Sequence, residues 1–427
     1  MLAVALQHAF LRQRVFHRNQ RNKILFLPMI YTDPRGEKEA EWLLKKFGAE
    51  KLFSTTGVLP QSMYSIAKLL WIKKNYSELF EKADKVMLTC DYLGYLLTGE
   101  RVIDYALASR TGAFNIEKLC FDQEILSECE ISTELFSKPK RAGSIVGKLK
   151  RELCEEIGIE ECMLVLGSHD QVCATLGAGV ISAGQAADGM GTVECITVLF
   201  DKKPNNLEMG IQGYPCVPFA VEGLYCTYIL NLSNGSIVSW YKNKLLHNYI
   251  GEESSFFAYV EKNMKDQPTG ILVLPYFGGS STPYQDINAK GAILNLDLQT
   301  SDSDLYKGIL EGTALEMCLN ADIVKEYGIM LDGAVATGGG ANSRKWLQIK
   351  ADIQNIPYKT LRSSEGGLCG CAILQAIGMR QVCDFRHAVE IFVQYGEEFL
   401  PNPTRHVAYR NQYEKYKKLY RTLKEFN

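Results

Sequence analysis

Paired cysteines at metal-ligand spacing are missing from this sequence. None of its 13 cysteines forms a CxxC pair, and no Cys/His cluster has zinc-site spacing, which excludes the zinc-ribbon and zinc-finger classes. Cys369 and Cys371, in GLCGCAIL, lie in a small apolar segment and read as compact core residues. Free thiols of this kind point to a reducing cytoplasm. No apolar run approaches the roughly 20 residues that a bilayer-spanning helix needs. No sign of charge dominates: 47 basic against 49 acidic side chains leave a formal net charge of -2. A nucleic-acid binder needs a basic surface to neutralise phosphates, so that class is excluded as well. Neither GxGxxG nor a Walker A loop is present. What remains is a chain of 427 residues, 46% hydrophobic, long enough for two or three well-cored domains.

The opening lacks acid altogether. Arg12, Arg14, Arg18, Arg21 and Lys23 all precede the first acidic residue, Asp33. Transit peptides share this bias but are rich in Ser, which residues 1–22 do not contain, and the apolar part is short and broken by His8. The stretch reads as a start that does not belong to the fold.

Chemistry concentrates between Cys162 and Phe200. Met163 to Leu166 is an apolar run that predicts a buried strand, Gly167 and Ser168 break it, and His169, Asp170 and Gln171 stand where the small-residue run VCATLGAGV begins. That places a carboxylate at a strand-to-helix corner. Further on, Asp188-Gly-Met-Gly-Thr192 reads as a glycine-rich turn between two strands, whose backbone amides suit a phosphate. A base that orients an attacking oxygen, with amides that take up nucleotide charge, is what phosphoryl transfer to a hydroxyl requires. Each half alone also fits a plainer role, a helix cap or a hairpin.

Elsewhere the pattern alternates strand and helix. Glu37–Phe47 has helical periodicity with its acidic residues early. Ser62 or Ser65 is placed to cap a helix carrying Leu69 and Trp71. Ser301 and Asp304 form a capping-box pattern for a helix reaching to about Tyr327, in which Gly308 and Gly312 suggest close approach of another element. Gly333 to Thr337 predicts a strand, Gly338 to Asn342 a glycine loop and Ser343 to Ile353 a helix, an arrangement that lets a ligand approach the backbone but is also a plain tight turn.

Four ordered segments resemble one family. MYSIAKLLWIKKN (63–75), including Lys68 and Trp71, is similar throughout to the first signature of the FGGY carbohydrate kinases. GSHDQVCATLGAG resembles that family's GGxDQxxAxLGAG, and LPYFGGSSTPYQDINAKGAI its PYFxGERTPxxDPxARGxF. TGGGANSRKWLQIKADIQNIPY, followed by Glu365 and GCAILQAIG, resembles its GGGAxSxxWxQxxADVxxxPV and E…GAAxLAxxG. The resemblance runs from about Lys23 to about Arg380 and implies an α/β, two-domain actin/Hsp70-like (ribonuclease-H-like) fold. It further implies ATP and Mg²⁺ as cofactors, a small sugar substrate, a cytoplasmic location and, as in relatives, a possible homodimer; nucleic acid, membrane and a protein-held metal site are not expected.

Carried over residue by residue, Asp170 matches the catalytic base. Asp33 and Arg35 stand in the W-x-D-x-R segment at the rim of the sugar pocket, and His169, beside the base, is a further candidate for a sugar contact. Gly191 and Thr192 match the second phosphate loop, Gly278 and Gly279 a loop near the nucleotide phosphates, and Gly338, Gly339, Gly340 and Asn342 the adenosine-side loop. The family's opening D-x-G-T/S phosphate hairpin has no counterpart, so the expected layout is a truncated first domain over 1–183 (1–22 atypical), a second over 184–390 and a helical tail over 391–427. GGSST replaces GERTP, and Asn295 and Gly308 replace residues that are usually Gly and Ala or Ser. Three functions fit: a xylulokinase-like sugar kinase with Asp170 as base, an inactive homologue that only binds ligand, and an actin/Hsp70-like ATPase.

Overall fold

The computed structural model describes residues 16–18, 24–246, 253–363 and 365–426. The basic opening therefore lies outside the described residues, apart from the backbone of Phe16–Arg18. That short strand pairs antiparallel with Ile24–Phe26 on one side and Lys85–Met87 on the other.

The helix Glu37–Phe47 ends where the sequence says it should, with Glu37 and Glu39 in its first turn and Lys45 and Lys46 in its last, opposite the two ends of the helix dipole. The next signature helix, Ser65–Asn75, is preceded by Tyr64, and no side chain caps it. The expected Ser62 or Ser65 cap is replaced by tertiary structure: Ile66 N donates to Thr111 O at 2.8 Å. Leu69 is buried and Trp71 half-buried against Phe26 and Tyr76.

The second half is organised on a seven-stranded sheet, in the order Val217–Pro218, Tyr225–Asn231, Glu194–Phe200, Gln185–Met190, Gly333–Thr337, Tyr358–Leu361, Tyr395–Phe399. Gln185–Met190 is antiparallel to Glu194–Phe200 and parallel to Gly333–Thr337. A three-stranded meander continued by two parallel strands is the ribonuclease-H-type arrangement. The parallel step needs a crossover, which the helix Arg344–Gln354 supplies, its Trp346, Ile349 and Ile353 buried as the spacing predicts.

The turn after Gln185–Met190 is shorter than expected. Asp188 sits inside the strand, fully buried, and the turn is Gly191, Thr192 and Val193, since Met190 pairs with Glu194. The helix Asp302–Glu326 carries both bonds of the Ser301/Asp304 capping box. Cβ atoms at its Gly308 and Gly312 would lie 2.9 Å from Ile271 Cγ2 and 2.5 Å from Val273 O, so these glycines do let the strand Leu272–Leu274 approach.

The expected helical tail, 391–427, begins at the end of the helix Phe385–Phe392 and then forms a strand. Tyr395–Phe399 covers the sheet edge, hidden in the sequence by its adjacent glutamates, which suit an exposed edge. The helix Pro403–Leu423 then packs back on Asp302–Glu326, burying Tyr409, Tyr413, Tyr416 and Leu419. Their hydroxyls are satisfied: Tyr409 donates to Glu311 at 2.9 Å, Tyr413 to Asp322 at 2.6 Å and Tyr416 to Glu316 at 2.6 Å.

Candidate active site

The strand Met163–Val165 runs through Ser168 into the helix Asp170–Gly177. Ser168 fixes the corner, its hydroxyl donating to Asp104 Oδ2 at 2.6 Å. Asp104 in turn accepts from Ala106 N at 3.0 Å and Leu107 N at 3.4 Å, capping the turn Tyr105–Ser109. Asp170 is the first helical residue, where the helix dipole favours a carboxylate, and its Oδ1 accepts from Gln171 N at 2.7 Å. Its side chain keeps 30% exposure, enough to meet a ligand.

Glycine sets the height of this helix. A Cβ on Gly177 would collide with Gly366 O and lie 2.6 Å from Gly370 N, and one on Gly370 would overlap Cys173 O. Asp170–Gly177 and Gly366–Gly378 thus touch backbone to backbone.

Asp170 opens on a cavity of about 450 Å³ between the two halves of the chain. Ser168, His169 and Gln171 share its wall; Tyr64 and Arg110 line it from the first half, and Tyr214, Tyr228, Gln285 and Val193 from the second. Arg110 lies over the Tyr64 ring at 5.3 Å. Asp170 is the only carboxylate on this wall among the described residues. His169 Nδ1 is 3.3 Å from Asp170 Oδ1. Burial, helped by Arg110, pulls the imidazole below its ordinary value despite Asp170, so the ring is neutral near pH 7.

Behind the wall, burial pushes the Asp91 and Asp104 carboxyls up to about 7. Folded-state values above the unfolded ones mean that stability is fully present below about pH 4 and is lost as pH rises through 7. Thermal unfolding followed from pH 5 to 8 is therefore expected at falling temperature. Asp104→Asn, which cannot ionise, should gain on the wild type across the same interval. A wild-type midpoint that rises through this range contradicts the assignment.

The predicted phosphate residues converge on the turn Gly191–Val193. Gly191 O accepts from Gly235 N at 3.0 Å and Thr192 O from Asn234 N at 3.2 Å. Gly278 N joins this group by donating to Ser233 Oγ at 2.9 Å. Gly338 and Gly340 press on the same hairpin, their would-be Cβ atoms 2.9 Å from Met190 O and Met190 Cβ. Gly339 and Asn342 lie exposed on the adjoining turn, Gly339–Asn342, whereas Gly279 is buried at φ +88° against Ile287. Val193 belongs to both hairpin and cavity, so the glycine loops and Asp170 adjoin.

Asp33 and Arg35 do not line the cavity. They form a fork, Arg35 Nε donating to Asp33 Oδ1 at 2.9 Å, which holds the Asp33 carboxyl down at about 2. Lys68 Nζ donates to Asp33 O at 2.8 Å and Arg35 stacks over Trp71 at 5.0 Å, so the pair joins the signature helix to the chain before it. Arg110, Tyr228 and the Asp104–Ser168 link went unread in the sequence. Asp104 before YALAS carries a helix-cap signal, but Arg110 has no local pattern.

Among the described residues there is no cluster of three or more His, Cys, Asp or Glu fit to hold a metal ion, and no helix is long and apolar enough to cross a membrane. A ribonuclease-H-type second half, with a carboxylate-bearing corner on a cavity that also reaches the turn Gly191–Val193, defines a two-domain α/β fold with one shared cleft. The chain matches the FGGY family of carbohydrate kinases over both family domains, the N-terminal one at residues 9–177 and the C-terminal one at residues 190–379. It belongs to that family and is a carbohydrate kinase by descent.

Xylulose kinase of Staphylococcus epidermidis is 28% identical over 363 residues, covering 85% of this chain and 72% of that protein. Among solved structures, a xyloylose kinase from Brucella ovis superposes with a TM-score of 0.86 at 22% identity, over 97% of this chain and 83% of that one. A gluconate kinase from Lactobacillus acidophilus does so with 0.86 at 23%, over 96% and 82%. At these identities the structures establish the shared fold.

Proposed function

We propose that the chain transfers the γ-phosphoryl group of ATP to a hydroxyl of a sugar, a ketopentose such as xylulose first, in the reducing cytoplasm. The observation that carries this reading is Asp170, the single carboxylate among the described residues on a cavity that also reaches the turn Gly191–Val193. The sugar hydroxyl gives its proton to an Asp170 carboxylate oxygen as it attacks the γ-phosphorus. The bond from that phosphorus to the β–γ bridging oxygen breaks, and ADP leaves with the electron pair. Mg²⁺ enters on the nucleotide phosphates as part of the substrate, which agrees with the small number of protein ligands such ions take. Backbone amides of the glycine loops meet the phosphates, and closure of the two halves on the bound substrates keeps out water, the competing acceptor. Xylulose is favoured by the names of the relatives and not by any sugar contact.

The test is ADP formation with a panel of pentuloses, hexuloses, aldonates and polyols. We expect one ketopentose to exceed the other sugars by at least about tenfold in kcat/KM, the discrimination that one or two pocket contacts supply. ADP formation that no sugar stimulates contradicts the proposal.

A further inference from the structure

Three charged side chains lie completely buried beneath the glycine loops. Lys350 Nζ is 2.8 Å from Asp188 Oδ2 and bonds to Glu194 Oε1, and all three side chains have 0% exposure. Asp188 and Glu194 sit on the two strands whose shared turn is Gly191–Val193. Lys350 projects from the helix that follows the Gly338–Asn342 loop. The cluster therefore ties together the two elements that carry the nucleotide-side loops, directly under their contact at Met190.

Two carboxylates and one ammonium in a dry core leave one negative charge uncompensated, which is costly. Among the described residues Asp188 finds no donor besides the Lys350 ammonium, and Glu194 Oε2 finds none. One proton removes both defects: a protonated Glu194 donates to Asp188, and the cluster becomes neutral. We infer that Lys350, Asp188 and a protonated Glu194 are positioning residues that hold the phosphate hairpin against the adenosine-side loop. Loss of that proton loosens nucleotide binding. Burial, opposed by Lys350 and reinforced by Asp188, pushes the Glu194 carboxyl up to about 8. The groups facing it are Asp188 on the partner strand, Lys350 on the helix, and the Tyr358 phenol, whose ring lies 5.6 Å beneath Lys350 Nζ. On its other side the paired residue is Asn231, which carries no charge.

This inference rests on the kinase proposal, and MgATP binding by calorimetry from pH 6.5 to 9.5 separates the two. For the wild type, the dissociation constant should rise about tenfold from pH 7 to 9, the change expected when an ionisation near 8 is linked to binding. Glu194→Gln should match the wild type at pH 7 and stay flat to pH 9. Lys350→Met, which leaves the carboxylates without a cation, should bind more weakly throughout. If that variant does not fold, the comparison with Glu194→Gln still decides. An alkaline loss that persists in Glu194→Gln, a flat wild-type profile, or a Glu194→Gln protein already weak at pH 7 each overturns the inference while leaving the kinase proposal intact. A folded wild type that binds no MgATP at any pH overturns both.

Discussion

Asp170→Asn is expected to leave a folded protein that binds sugar and MgATP nearly as before but transfers phosphate about 10²–10⁴-fold more slowly, the usual contribution of a positioned general base. The substitution keeps the size of the side chain and an oxygen to accept from Gln171 N, so the helix start should survive. It removes the only carboxylate on the cavity wall among the described residues. His169 is a poor substitute: burial, helped by Arg110, lowers the basicity of its ring, which packs tilted against Tyr228 at 5.9 Å. The loss should fall on kcat, with KM for sugar and for ATP changed by less than about threefold, because the proton moves only in the transition state. A rise in KM at unchanged kcat would make Asp170 a binding residue instead.

The second large effect is structural. Gly177→Ala should cost roughly 3 kcal/mol of stability, at the upper end of overpacking, since the added methyl meets the backbone at Gly366 and Gly370 and no flexible side chain can yield. The helix must lift, and Asp170 moves with it. Chemical denaturation should show the loss, and activity should fall even at temperatures where the variant remains folded. Gly158→Ala is the control: nothing lies near its would-be Cβ, so only its positive φ of 71° is strained. Equal losses in the two variants would mean that backbone contact between the helices is not what places Asp170.

Local physics was legible in the sequence. The charges at the two ends of Glu37–Phe47, the Ser301/Asp304 box and the turn from Gly333–Thr337 into Arg344–Gln354 all depend on residues a few positions apart. So does the start of the helix at Asp170, and Asn295, in a place where Gly is usual, is explained by its φ of +65°, which Asn tolerates. What could not be read depends on distant partners. Asp188 looked like a turn residue because glycine follows it, but its strand is fixed by pairing with Glu194–Phe200, and the partner of its side chain, Lys350, lies far along the chain. Asp33 and Arg35 looked available for a ligand, yet they pair with each other and are tied to Lys68 and Trp71, more than thirty positions on. The Asp104–Ser168 bond spans 64 positions, and neither residue signals the other.

Transfer of labelled γ-phosphate from ATP to xylulose tests the central claim most directly. A labelled sugar phosphate ester is expected, with one ADP formed per ester, and almost none of either with Asp170→Asn. Label released as inorganic phosphate at the same rate with or without sugar would identify an ATPase. Label remaining on ATP across the sugar panel would leave a protein that binds ligand without turning it over. Either result would contradict phosphoryl transfer from this cavity.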